Sequence, residues 1–276
     1  MPSLLVFGPG YTASRIAAAL PGWRIETVGR RGMADSAAVA TAIGRATHIL
    51  SSVPPEGEGD PVLRLHGAAL AAAPAGWIGY LSSTGVYGDA GGGWVDEAAP
   101  LNGRRGPRVA ADLAWQALHP AVRVFRLPGI YGPGRSMLER VAEGKAHRID
   151  LPGQVFSRIH VDDIVGGVRA SIACGPAGVY NLADDRPAHQ NDVVAEACRL
   201  TGRPLPPLQS LDEAGLSPMA RAFYAENRRV AAGKARRLLG WRPLHADYRA
   251  GLRALSANSS PAKTSTAPVT LVADQR

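Results

Sequence analysis

The sequence predicts an α/β protein on a Rossmann-type, doubly wound parallel sheet with a small C-terminal substrate-binding lid. Three observations predict it. Short apolar or β-branched runs alternate with Ala-rich helical stretches along most of the chain, the pattern of βα units wound around a parallel sheet. The first of these runs leads directly into the glycines of Gly8-Pro9-Gly10. The 276 residues, 46% hydrophobic and 20% charged, supply enough apolar material for one large or two closely fused domains. That excludes a disordered or fibrous chain.

Taken in order, strands are expected at 4–7, 24–28, 48–53, 78–82, 123–127 and 179–182. Those covered by helices on both faces should be apolar throughout. Helices are expected to begin near Tyr11, Asp35, Pro61, Pro107, Ser136, Val161, Asn191 and Asn227. Several of these starts carry Asp, Ser or Asn in or near the first turn, with Gly or Pro just past the end. The chain divides into a dinucleotide-binding domain over 1–185, with 136–145 contributing to the lid, and a small substrate-binding portion over 186–255. Residues 256–276 are rich in Ser, Thr, Ala and Pro without apolar periodicity and read as a disordered tail. No repeat of solenoid or propeller period is present.

Lys and Arg number 31 against 23 Asp and Glu, a formal net charge of +8 and a pI near 10.0. This balance permits anionic ligands from phosphates to nucleic acid without choosing among them. Cys174 and Cys198 are the only cysteines, so a disulfide framework is excluded and a reduced, cytoplasmic setting is expected. The start of the chain has no basic leader, and its most apolar stretch, 68–81, is broken by Pro74 and Gly76. It falls short of the roughly 18 to 20 apolar residues of a membrane helix, so no membrane partner is expected.

Gly8-Pro9-Gly10-Tyr11-Thr12-Ala13 matches G-x-G-x-x-A between a strand and a helix. Gly8 suits the tight turn, Gly10 admits a pyrophosphate to the backbone, and Ala13 lets the helix pack closely on the strand. Tyr11 and Thr12 open the helix, whose unpaired N–H groups face the anion. An ordinary glycine turn is the plainer alternative. About 20 residues further on, an acidic residue would bind the ribose of NAD, and an arginine the 2′-phosphate of NADP. The second strand ends Val28-Gly29-Arg30-Arg31, and Glu26 lies within that strand rather than at its end. NADP(H) is therefore expected over NAD(H), with Arg30 and Arg31 on the phosphate; two solvated arginines are the alternative.

Further along stand Leu81-Ser82-Ser83-Thr84-Gly85-Val86-Tyr87-Gly88, Arg126-Leu127-Pro128-Gly129-Ile130-Tyr131-Gly132, Ile159-His160-Val161-Asp162-Asp163, Tyr180-Asn181-Leu182-Ala183-Asp184 and Leu239-Gly240-Trp241-Arg242-Pro243. Together with the glycine turn, and in this order, they resemble the extended short-chain dehydrogenase/reductase superfamily, the NAD-dependent epimerases and dehydratases, over residues 4–253. The resemblance implies that Ser83 bonds the reacting oxygen of the substrate, with Thr84 a weaker alternative and local capping the plainer one. It also implies that Pro128, Gly129 and Ile130 line the nicotinamide. Ser51, Ser52 and Val53 are placed where the adenosine side passes. Asp163 and Asn181 are expected to be structural.

In one respect the sequence departs from that family. Its usual members carry Tyr-x-x-x-Lys as acid/base pair, but no tyrosine here precedes a lysine by four positions, and the only lysines are Lys145, Lys234 and Lys263. Laying the family's helix on residues 106–112, with Asp112 at the usual acidic position, puts Arg104 at the tyrosine position and Arg108 at the lysine position. Arginine can hold a ribose hydroxyl or carry charge but does not shuttle protons near neutrality. Tyr87, Tyr131, His160 or water remain as donors.

The expected activity is hydride transfer between NADP(H) and a carbonyl or alcohol carbon of a small-molecule substrate, with epimerase or dehydratase chemistry open. A degenerate dinucleotide-binding redox sensor is the alternative. Arg228, Arg229, Lys234, Arg236 and Arg237 form a basic cluster that reads as the solvated face of an amphipathic helix, so no nucleic-acid partner is expected. No Gly-x-Ser-x-Gly elbow and no metal-ligand spacing among the seven histidines is present. Substrate identity and oligomeric state lie outside what these residues encode.

Overall fold

The computed structural model describes residues 1–57 and 59–259. In chain order the elements are β1 (Ser3–Phe7), α1 (Tyr11–Ala18), β2 (Arg24–Val28), α2 (Ser36–Arg45), β3 (His48–Ser51), α3 (Pro61–Ala71), β4 (Trp77–Ser83), β5 (Trp94–Val95), α4 (Gly106–Leu118), β6 (Val122–Leu127) and β7 (Gly129–Tyr131). There follow α5 (Met137–Ala142), β8 (Arg148–Ile149), β9 (Arg158–His160), α6 (Val161–Ala173), β10 (Gly178–Asn181), α7 (Gln190–Thr201), β11 (Leu208–Gln209), α8 (Pro218–Phe223), β12 (Arg229–Val230), α9 (Gly233–Leu239) and α10 (Tyr248–Ser259).

The main sheet runs β10-β6-β4-β3-β1-β2, every neighbouring pair parallel. Alternation along β1 shows why it is covered on both faces. Leu4 and Val6 join α1, α6 and α9 in one core, through Ala13, Ile16, Ile164 and Leu239. Leu5 and Phe7 join α2, α3 and α4 in the other, through Ile43, Leu70 and Trp115. This is the doubly wound Rossmann arrangement. β2 lies at one edge of the sheet, and Arg24, Ile25 and Thr27 are exposed, so full apolarity is not required there.

Local chemistry fixes the helix starts. Asp35 accepts from the Ala38 amide at 3.0 Å, and Asp60 accepts from Val62 and Leu63 ahead of Pro61. Ser136 and Glu139 form a reciprocal capping box on α5. A third apolar cluster, separate from the two faces of the sheet, unites α5, α7 and α10 through Leu138, Val194 and Leu252.

Two expectations are corrected. No helix starts at Asn227; residues 229–230 pair with Trp94 and Val95 as β12, and α9 begins at Gly233. The tail expected from 256 does not begin there either, because α10 runs through Ser259, its start capped by Asp247 Oδ1 at 2.9 Å from the Ala250 amide. The rest of that tail, 260–276, lies outside the described residues. α8 and α10 also add helix starts that periodicity did not reveal. Among the described residues no helix is long and apolar enough to cross a membrane.

Candidate active site

In chain order β1 is followed outward by β2 and then, across β1, by β3. The carboxyl ends of β1 and β3 therefore form a topological switch point, where open α/β sheets bind ligands. Gly8 turns the chain there with φ +73°, and a Cβ on it would lie 2.8 Å from Val53 Cγ2 and 3.3 Å from the Val53 amide nitrogen. Its amide donates to Val28 O at 3.0 Å, and its carbonyl accepts from Gly10 N and, at 2.6 Å, from Ser52 Oγ. Gly10 is the N-cap of α1. Among the described residues no side chain caps that helix, and its first turn holds no acidic residue. A Cβ on Gly10 would meet only Gly8 O, at 4.0 Å, so this side of the turn is open. An uncapped helix N-terminus behind an open glycine fits a bound phosphate.

Gly10, Tyr11 and Thr12 line one end of a cavity of about 990 Å³, which continues past Ser52, Ser83, Thr84, Arg108, Pro128, Gly129 and Ile130. The structure thus brings these sequence-predicted residues to one surface. Gly8, Ala13, Ser51 and Val53 stand behind it: Ala13 and Ser51 are fully buried, and Val53 abuts Gly8. Arg30 and Arg31 are exposed and lie outside the cavity wall. Arg30 pairs with Glu56 at 3.1 Å, linking the loops that follow β2 and β3 across the end of β1.

Ser83 ends β4, and its Oγ accepts from the Gly85 amide at 3.1 Å. The capping role is real, and it leaves the hydroxyl hydrogen to donate. Arg108, in the first turn of α4, is half-buried, and burial pulls its pKa below the usual arginine value. Beneath this end lies an ionic platform. Arg126, 2% exposed, forks onto Asp112 at 2.7 and 3.1 Å, and Asp112 also accepts from Ser82 at 2.6 Å. β4, α4 and β6 are pinned together by these bonds.

The other candidate proton donors are engaged away from Ser83. Tyr87 OH donates to Asn181 Oδ1 at 2.7 Å and accepts from Arg126 at 3.1 Å, and burial raises its pKa. Tyr131 is packed edge-on to His160 and against Gly251, buried, with its pKa also raised by burial. His160 caps α6 at 3.2 Å from the Asp162 amide, and burial, with His245 adding, lowers its pKa to about 4. None of the three lines the cavity. His160, Asp163 and His245 do place ligand-type atoms within 4.8 Å of one another, a convergence invisible in their spacing. The Asp163 carboxylate, however, is taken up by the Leu244 and His245 amides and by His245 Nδ1. The cluster ties α6 to the segment before α10.

Other cavity groups escaped the sequence. Arg104, at the family's tyrosine position by resemblance, donates to Glu226 Oε1 and to Ala222 O, both at 3.2 Å, so it tethers the α8 end. Tyr224 packs edge-on to Phe156 at 5.5 Å. Arg228, expected on a solvated helix, lines the cavity instead. Only contacts between segments far apart in sequence place these groups, and no local pattern signals them.

No protein-family model matches the chain. A conserved Silicibacter pomeroyi protein described as functionally unknown is 44% identical, with 95% of this chain and all of that one covered at a TM-score of 0.83. Human epimerase family protein SDR39U1, solved with NADPH, is 16% identical over 93% of this chain and 99% of its own, at a TM-score of 0.74. A Bacillus anthracis dTDP-glucose 4,6-dehydratase, solved with NAD, is 17% identical over 93% and 96%, at 0.72. The last two likenesses establish the fold. In sequence, a Streptomyces 3-diazoavenalumate denitrifying reductase is 31% identical over 140 residues, covering 47% of this chain and 45% of that protein. The match spans less than half of that reductase.

Proposed function

Because the chain belongs to one family with the conserved Silicibacter pomeroyi protein and carries the fold of the NAD-dependent epimerases and dehydratases, we propose that it is an NADP(H)-dependent oxidoreductase. One observation carries this reading: an uncapped helix N-terminus behind an open glycine, at the switch point, lines the same cavity as Ser83. Gly10, Tyr11 and Thr12 hold the pyrophosphate, Arg30 and Arg31 the 2′-phosphate, and Pro128, Gly129 and Ile130 border the nicotinamide. When bound, the coenzyme supplies or accepts a hydride. Ser83 donates to the substrate oxygen, and the Asp112–Arg126 platform holds the end of β4 still while it does so. Arg108 contributes positive charge beside the ribose. The substrate is a small carbonyl or alcohol compound, and the reductase name of the Streptomyces relative supports the reducing direction.

Titration calorimetry with NADPH and NADH tests the coenzyme assignment. NADPH is expected to bind at least about ten-fold tighter than NADH, roughly 1.4 kcal/mol, and Arg30→Ala to erase most of that gap. Tighter binding of NADH, or an unchanged NADPH affinity in Arg30→Ala, defeats it.

A further inference from the structure

The basic cluster read as a solvated helix face separates in the structure. Lys234, Arg236 and Arg237 lie on α9, while Arg228 precedes β12 and turns inward, its side chain 16% exposed. Its Nη1 donates to Gly88 O at 2.7 Å and to Glu226 Oε2 at 2.6 Å. Those contacts fix the plane of the guanidinium. Nη2 has no hydrogen-bond partner among the described residues.

A Cβ on Gly85 would stand 3.3 Å from Ser83 Oγ and 4.0 Å from Arg228 Nη2. A hydroxyl and a guanidinium thus flank one small volume over Gly85, and the absence of a side chain there keeps it open to the cavity that all three residues line. Ser83 already accepts from Gly85, so its hydrogen points elsewhere. The charge is also unbalanced. Glu226 accepts from both Arg104 and Arg228, two cations on one carboxylate, which leaves one positive charge for an incoming anion.

We propose that Ser83 and Arg228 form an oxyanion subsite, which binds the reacting carbonyl oxygen of the substrate and takes a carboxylate as its analogue. The proposal rests on the hydride-transfer reading above. As hydride reaches the carbonyl carbon a C–H bond forms, the C=O π pair passes to oxygen, and Ser83 and Arg228 donate to that oxygen as its charge grows. The hydride would leave the reduced nicotinamide with the electron pair of the C–H bond that breaks there, and the ring is oxidised as the carbonyl is reduced. Water gives the proton that completes the alcohol, because a guanidinium keeps its own. The subsite thereby supplies, from the C-terminal portion of the chain, the positive charge that a tyrosine–lysine pair would have supplied from α4.

Calorimetric titration of the full chain, with and without NADP⁺, using benzoate and its neutral isostere benzamide, tests this. Benzoate is expected to bind at least about ten-fold tighter than benzamide, in keeping with a charge-assisted contact. Arg228→Gln should abolish the preference. Glu226→Gln, which removes the competing carboxylate and leaves the guanidinium in place, should strengthen benzoate binding several-fold. A purely structural Arg228 predicts the opposite, since losing its ion pair would loosen the loop and weaken the probe. A preference that survives Arg228→Gln, benzoate binding no better than benzamide, or weaker benzoate binding in Glu226→Gln overturns the proposal. The Glu226→Gln arm decides it should Arg228→Gln fail to fold. Failure of the wild type to take up either coenzyme, with the benzoate preference intact, sinks the coenzyme reading and leaves the subsite standing.

Discussion

At the β1–α1 end of the cavity the wall is main chain, and at the β4 end it is side chain. The first needs two glycines and an uncapped helix, all within six consecutive residues. The second draws Ser83 from β4, Arg108 from α4, Ile130 from β7 and Arg228 from beside β12, over a buried ion pair between α4 and β6. A main-chain site tolerates change in most side chains but not in its backbone geometry. A side-chain site is only as exact as the packing and charge pairs that hold each donor, so its chemistry can drift while the fold persists.

Substitutions in the platform should expose the difference most strongly. Asp112→Ala leaves the Arg126 guanidinium buried without its partner, and a cost of roughly 3 to 5 kcal/mol is expected, read by chemical denaturation. A loss under about 1 kcal/mol would mean that water or another group replaces the carboxylate. Gly10→Val is the counterpart at the other end. Its Cβ meets nothing closer than 4.0 Å, so stability should fall by no more than about 1 kcal/mol, the cost of a β-branched residue at an N-cap. NADPH affinity should nevertheless fall about 100-fold, roughly 3 kcal/mol, because the side chain fills the space of the pyrophosphate. Equal losses of stability and affinity in Gly10→Val would erase the contrast.

The same contrast decides what the sequence could show. β1 was legible because a strand buried on both faces must be apolar at every position, as Leu4 to Phe7 are. The cradle was legible because its residues are neighbours. Ser83 was reached by resemblance and does line the cavity, but the residues around it were not legible from local pattern. Arg228 sits in a stretch whose apolar spacing imitates a helix, yet β12 forms because Trp94 and Val95 pair with it from a distant segment. Closeness in sequence makes Tyr87 and Tyr131 candidate donors, yet it carries no information about whether a hydroxyl faces a cavity or, as for Tyr87, an asparagine. Arg104 could be placed at the tyrosine position by counting, but its bond to Glu226 depends on how the chain returns after α8.

Asp184, just past β10, gives the most pH-dependent effect. It is 3% exposed; Oδ1 accepts from the Arg186 amide at 3.2 Å, while Oδ2 has no hydrogen-bond partner among the described residues. Burial raises its pKa to about 8, against 3.8 for a free aspartate. A carboxyl whose folded pKa is raised contributes stability that is fully present below the unfolded value and is lost as pH rises through the folded one. Between about pH 4 and 8 the folded state therefore holds a proton that the unfolded state has released, and this part of the stability declines as pH climbs. His160, lowered to about 4, acts in the reverse sense, its contribution being lost as pH falls from about 6.5 through 4. Asp184→Asn keeps the size of the side chain and removes the titration. Its melting temperature relative to the wild type should rise from pH 5 to about pH 8 and level off above it, and a difference that stays flat from pH 5 to 8 would show that Asp184 ionises in the folded protein much as it does in water.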